Sequence, residues 1–247
     1  MSSSAEQTIQ HSRVARCRGF SLIELSITIF ILALLLGGIL VPLTTQMDQR
    51  RVSQTERQLE QIKEALIGYA IIHRYLPCPA VSSSNGAEDR TGTSCTGGKR
   101  VGFLPWVALG LDPADSWDNL FRYSVSPSHT SSDPASNFTL DDSGDITIKT
   151  RDNAGALVNL SNSPGTPVVI LSHGKNGFGA TSRSGTARFT PGGWVGDERD
   201  NANMSTTFTW RLRTERAAAP GGEYDDLLVW ITPNILNSRM VAAGRLP

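Results

Sequence analysis

A single carboxylate inside a long apolar run constrains this chain more than any other feature. From Phe20 to Leu43 there are 24 residues and one charged side chain, Glu24. At about 1.5 Å rise per residue the run makes roughly 36 Å of helix, enough to cross a hydrocarbon layer of about 30 Å. An acidic residue near the middle of a spanning helix costs about 2.5–3.5 kcal/mol, and less toward an end. A positive partner has to offset that cost. The run is too long for the apolar core of an ordinary secretory signal, and its glycine, Gly19, precedes it rather than following it.

The residues around the acid are Arg18-Gly19-Phe20-Ser21-Leu22-Ile23-Glu24-Leu25. They resemble the N-terminus of type IV pilins and type II secretion pseudopilins, and the resemblance covers about the first 45 residues. It implies cleavage by a prepilin peptidase between Gly19 and Phe20, then methylation of Phe20 by the same enzyme. It implies that Glu24 pairs with the terminal amine of a neighbouring subunit, which supplies the missing compensation. The expected partners are the prepilin peptidase, other pilin-like subunits, an inner-membrane assembly platform and the inner membrane itself.

Charge sets the orientation. Arg13, Arg16 and Arg18 precede the run, whereas Asp48, Arg50 and Arg51 after it are mixed. The positive-inside rule therefore places the N-terminus in the cytoplasm and the bulk of the chain across the membrane. Without residues 1–19 the chain carries 20 basic and 22 acidic residues, with no basic excess to favour nucleic acid. Cys17 would leave with the leader. Cys78 and Cys95 remain, an even count in an oxidising space, and are expected to form a disulfide.

The chain divides into a leader (1–19), a transmembrane or filament-core helix (20–43), an amphipathic extension (44–76) and a β-rich globular domain (77–247). Gly37, Gly38 and Pro42 interrupt the apolar run. In the extension, Leu59, Ile62, Leu66 and Tyr69 share one helix face, and Ile72 is expected to continue it. Leu76-Pro77-Cys78-Pro79 stops the helix near Tyr75. Residues 80–100 read as loop. Trp106 and Trp117 are expected to pack rather than grip a ligand.

Strands are expected at 120–125, 167–172, 206–213 and 226–232, with a hairpin joining 138–140 to 146–148. Thr232-Pro233 opens a closing helix that Gly244 stops. One long helix followed by strands gives an α+β fold, the helix packed on an antiparallel sheet. This is also the pilin-like fold that the resemblance implies.

The sequence holds no HExxH, GxSxG or phosphate-binding glycine loop, so a non-enzymatic role is expected. His173 stands before the Asn176-Gly177 turn and reads as structural. Asp141-Asp142 and Asp225-Asp226 read as turn and strand-start residues rather than an acid/base pair. Major pseudopilins resemble the stretch from Ser172 to Asn201, a glycine loop followed by an acidic segment that holds calcium. This makes Asp197 and Asp200 the calcium candidates, with Asn176 standing where the family often has Asp. No other cofactor is expected.

The function expected is that of a structural filament subunit, a pseudopilin or minor pilin serving secretion or a pilus. The alternatives are a major adhesive pilin and a tip subunit that binds DNA or a surface ligand. Major adhesive pilins usually carry their disulfide near the C-terminus, whereas Cys78 and Cys95 follow the long helix.

Overall fold

The computed structural model describes Gly19 and residues 21–160, 165–203 and 206–246; for 36–43 it describes the backbone alone. Expectations for the leader, Cys17 and Phe20 lie outside the described residues, as do those for the side chains of Gly37, Gly38 and Pro42. The chain forms two compact units, Met1–Asp48 and Gln49–Pro247.

One helix, α1, runs over Leu22–His73. In the first unit, the Ser21 carbonyl accepts from Leu25 N (3.1 Å), and Glu24 lies in the first turn, where helix dipoles favour an anion. The two hydroxyls of this stretch turn back on their own helix: Ser26 Oγ donates to Ile23 O and Thr28 Oγ1 to Glu24 O. The apolar side chains from Leu22 to Leu35 point outward on every side, and Leu22 is 87% exposed. Among the described residues, no helix is long and apolar enough to cross a membrane. The expected span, 20–43, includes Phe20 and the side chains of 36–43, which lie outside them.

In the second unit α1 is one-sided. Val52, Thr55, Leu59, Ile62, Leu66 and Ala70 are buried at three- and four-residue steps. Ile72 does not continue this stripe and is 67% exposed; a 3.6-residue period passes through Ala70 and turns Ile72 outward. The helix ends at His73, and Arg74 takes a left-handed conformation (φ 69°) before Pro77.

The main sheet has the order β3-β4-β7-β9, built from Val101–Phe103, Arg122–Val125, Val168–Ser172 and Leu227–Ile231. All its neighbours are antiparallel. Every residue of β7 is buried, because both faces of the sheet are covered. Val168 and Ile170 share a cluster with Leu59, Leu66 and Tyr123, and with Leu236 and Met240 of α4 (Pro233–Ala242). Val169 and Leu171 face the other way, onto Ile146, Ile148 and Phe208. This second cover includes a smaller sheet, β6-β5-β8, from Leu157–Asn159, Thr147–Arg151 and Thr207–Thr209. The architecture is α+β with an N-terminal helix and mainly antiparallel sheets; the β5–β8 pairing is parallel.

Several expectations are corrected. The hairpin from 138–140 to 146–148 is absent: Phe138 is buried in the helix-side cluster, and Asp142 Oδ2 accepts from Thr139 N (2.7 Å), curling that segment into a turn. The hairpin instead joins β5 to β6, with Asp152 Oδ1 accepting from Ala154 N and Ala156 N. The strand expected at 206–213 ends at Thr209, and Leu212 is 81% exposed. Residues 80–100 hold a short ribbon, β1 (Arg90–Thr91) with β2 (Ser94–Cys95), not loop alone. Cys95 in that ribbon is joined by a disulfide to Cys78, with 5.4 Å between Cα atoms. Trp106 opens a short helix, α2 (Trp106–Leu109), and packs against Gly86, where a Cβ would collide with the indole.

α4 begins as expected. Thr232 Oγ1 accepts from Ile235 N, Pro233 takes the first helical position, and Gly244 follows the helix end at φ 66°.

Candidate functional site

The antiparallel register of β7 and β9 builds a polar centre at one end of the main sheet. Ser172 pairs with Leu227, so the chain leaving β7 at His173 lies beside the chain entering β9 at Asp226. His173 is completely buried and Asp226 is 3% exposed. His173 Nδ1 lies 3.5 Å from Asp226 Oδ1. The short helix α3 (Asp197–Ala202) supplies the third member, Glu198, which is 1% exposed. Glu198, Asp225 and Asp226 place carboxylate oxygens within 4.8 Å of one another.

Amide donors hold these carboxylates in place. Asn201 Nδ2 donates to Asp226 Oδ2 (2.8 Å), while Asn201 Oδ1 accepts from Thr209 N. Asn176 Nδ2 donates to Glu198 Oε2 (2.9 Å), and Asn176 N donates to Asp225 Oδ2 (2.8 Å). Asp225 N donates to Glu198 Oε1 (2.5 Å). Gly174 takes φ 61° here, and any side chain on it would strike the carbonyl and carboxylate of Asp225. Beneath, Ser172 Oγ donates to Asp115 Oδ2 (2.6 Å).

Packing three acids into a buried site raises their proton affinity. Burial, then the charge of Asp226, pushes the Glu198 pKa up to about 8. Burial also raises Asp225 and raises Asp226 well above the usual carboxylate range. His173 moves the other way, down to about 3, through burial and then the nearby Arg122 charge. The imidazole is therefore neutral and brings no positive charge to the cluster.

Of the two calcium candidates, Asp197 faces arginines and not this centre. Arg151 grips it in two-pronged fashion, and Arg211 Nε lies 2.8 Å from Asp197 Oδ2. Asp200 is exposed. The acidic segment does reach a site that could hold a metal, but through Glu198, with Asp225 and Asp226 arriving from the start of β9. The signal for the latter pair was their position: two acids directly before a buried strand whose neighbour ends in Ser-His-Gly.

The N-terminal candidates are placed only in part. Gly19 is exposed, Phe20 lies outside the described residues, and Glu24 is exposed in the first turn of α1. Among the described residues, no donor meets the Glu24 carboxylate.

Comparison with known proteins adds one finding at this end of the chain. Residues 14–40 match the family described as the prokaryotic N-terminal methylation motif. No curated protein and no solved structure matches the chain. The motif implies processing by a prepilin peptidase and assembly with other pilin subunits, and it points to a structural subunit rather than an enzyme. Residues 14–40 thus carry the prepilin-type signature of type IV pilins and pseudopilins.

Proposed function

We propose that this chain is a pseudopilin or minor pilin, a structural subunit of a type IV pilus-like filament. A prepilin peptidase cuts between Gly19 and Phe20 and methylates Phe20. The precursor is held in the inner membrane by residues 20–43, with its N-terminus in the cytoplasm and the β-rich unit outside. An assembly platform then draws the helix into the filament, and no nucleic acid takes part.

The observation that carries this reading is the methylation motif at 14–40. The apolar helix that lies within it supports the reading. A helix apolar on every side is stable only in lipid or among other apolar helices, and Leu22–Leu35 has that character. The hydroxyls of Ser26 and Thr28 are already satisfied by their own helix, which suits the same surroundings. In this scheme the amine freed at Phe20 meets the Glu24 carboxylate of a neighbouring subunit as both leave water.

The test is Glu24→Leu in cells that produce the remaining filament subunits. The variant is cleaved but fails to enter filaments. Incorporation at the wild-type level contradicts the reading.

A further inference from the structure

One edge of the main sheet is open beside a groove. β9 is last in the order β3-β4-β7-β9, so its outer edge has no neighbouring strand. Thr214 and Tyr224 exchange two backbone hydrogen bonds (2.9 and 2.8 Å), and from there the two segments part. The stretch 210–213 diverges from β9, and among the described residues the backbone of Arg211, Leu212 and Arg213 makes no hydrogen bond. The gap is a groove of about 670 Å³ with α1 as its third wall, and Leu59, Trp210, Leu212 and Val229 give it an apolar surface. Leu212 is 81% exposed.

The same unit carries a counterpart. Phe189 is 80% exposed, although both of its neighbours are fastened. Arg188 N donates to Ala180 O (2.9 Å) and Arg188 Nε to Asn119 Oδ1 (2.9 Å), while Thr190 Oγ1 accepts from Gly179 N (3.2 Å). An aromatic ring held out on a fastened backbone loses little freedom when a partner buries it, and such rings anchor protein interfaces. Phe189 does not line the groove of its own chain, so the groove it can fill belongs to another copy.

We propose that the Phe189 ring of one copy docks in this groove of a second copy, between α1 and Leu212. Charge favours the pairing. Residues 178–196 hold two arginines, Arg183 and Arg188, and no acid. The α1 wall of the groove carries Glu60 and Glu56, and Glu56 makes no ion pair among the described residues. On the 210–213 wall Arg211 is already paired with Asp197, and the remaining charge there, Arg213, turns Arg188 of the docked copy toward α1. A knob and a groove at different places on one surface make a head-to-tail contact, which adds copies in a row instead of closing a pair. This inference concerns the β-rich unit and does not rest on the filament reading.

The full chain is purified in detergent in two differently tagged forms, one with the photo-crosslinker p-benzoylphenylalanine in place of Phe189. Illumination links the two forms, with the attachment at 210–213 or 226–229 of the acceptor. Leu212→Asp in the acceptor lowers the yield about fivefold or more, and Glu56→Lys lowers it about twofold. Phe189, Leu212 and Glu56 are all exposed, so these changes leave the core intact. No link between copies, attachment elsewhere on the acceptor, or an unchanged yield with Leu212→Asp overturns the proposal. In cells that produce the remaining filament subunits, capture of the same segments of a second copy supports it, and capture of a different protein in their place contradicts it. Either failure leaves the Glu24→Leu test of the filament reading untouched.

Discussion

Arg151 on β5 and Asp197 at the start of α3 form a two-pronged pair, Nε to Oδ2 at 2.8 Å and Nη2 to Oδ1 at 2.7 Å. Asp197 is 1% exposed, and Arg211 Nε approaches the same carboxylate. This acid joins the short helix that carries Glu198 to β5 of the small sheet, as Asn201 of the same helix joins it to Thr209 of β8. Replacing Asp197 with alanine strands two guanidinium groups in a partly buried place. A loss of about 3–5 kcal/mol is expected from denaturant unfolding. A change below about 1 kcal/mol would show that the pair is weak.

The polar centre makes stability depend on pH. Glu198 has its pKa raised from 4.5 to about 8, so between those values the folded state holds a proton that the unfolded chain has released. Stability from this group is present below the unfolded value and is lost as pH rises through the folded one. Below 6.5 the effect is opposed by His173, whose pKa falls from 6.5 to about 3, so that its contribution grows with pH. Above 6.5 His173 no longer opposes the fall, which is read over pH 6.5–8, where Asp226, raised by the same burial, acts in the same direction as Glu198. The melting temperature is expected to fall across that range, and Glu198→Gln to flatten part of the fall. An equal slope in both proteins would remove Glu198 as the cause.

The stripe on α1 is tested by two aliphatic residues six positions apart. Leu66 is fully buried and Ile72 is 67% exposed. Leu66→Ala is expected to cost about 2–5 kcal/mol, and Ile72→Ala to stay within about 0.5 kcal/mol. Comparable losses at the two sites would contradict the burial pattern.

The Cys78–Cys95 bridge pins the β1–β2 ribbon to the segment after α1. Replacing both cysteines with serine is expected to lower stability by about 3 kcal/mol in the chain-entropy account. Reductant should lower the wild-type melting temperature similarly and leave the variant unchanged. Insensitivity of the wild type to reductant would argue against the bridge.

These features were not equally legible in the sequence. The helix, its stop before Leu76-Pro77, the buried run Val168–Leu171 and the Thr232 cap follow from local patterns, and local patterns survive folding. The hairpin at 138–148 failed because a buried phenylalanine and an Asp side-chain turn mimic strand ends. The extent of β8 failed because alternating Phe208, Trp210 and Leu212 satisfy a period of two without a partner strand beyond Thr209. The polar centre was hidden for a different reason. Glu198 and Asp226 are far apart in sequence, and only the β7–β9 register brings His173 beside Asp226. An acidic segment was visible, but not which of its carboxylates turns inward.

The account rests on processing at the N-terminus, and the intact mass of the protein isolated from cells with a working prepilin peptidase tests it most directly. The expected product begins at Phe20 and carries one added methyl group. A product that retains residues 1–19 would contradict the account.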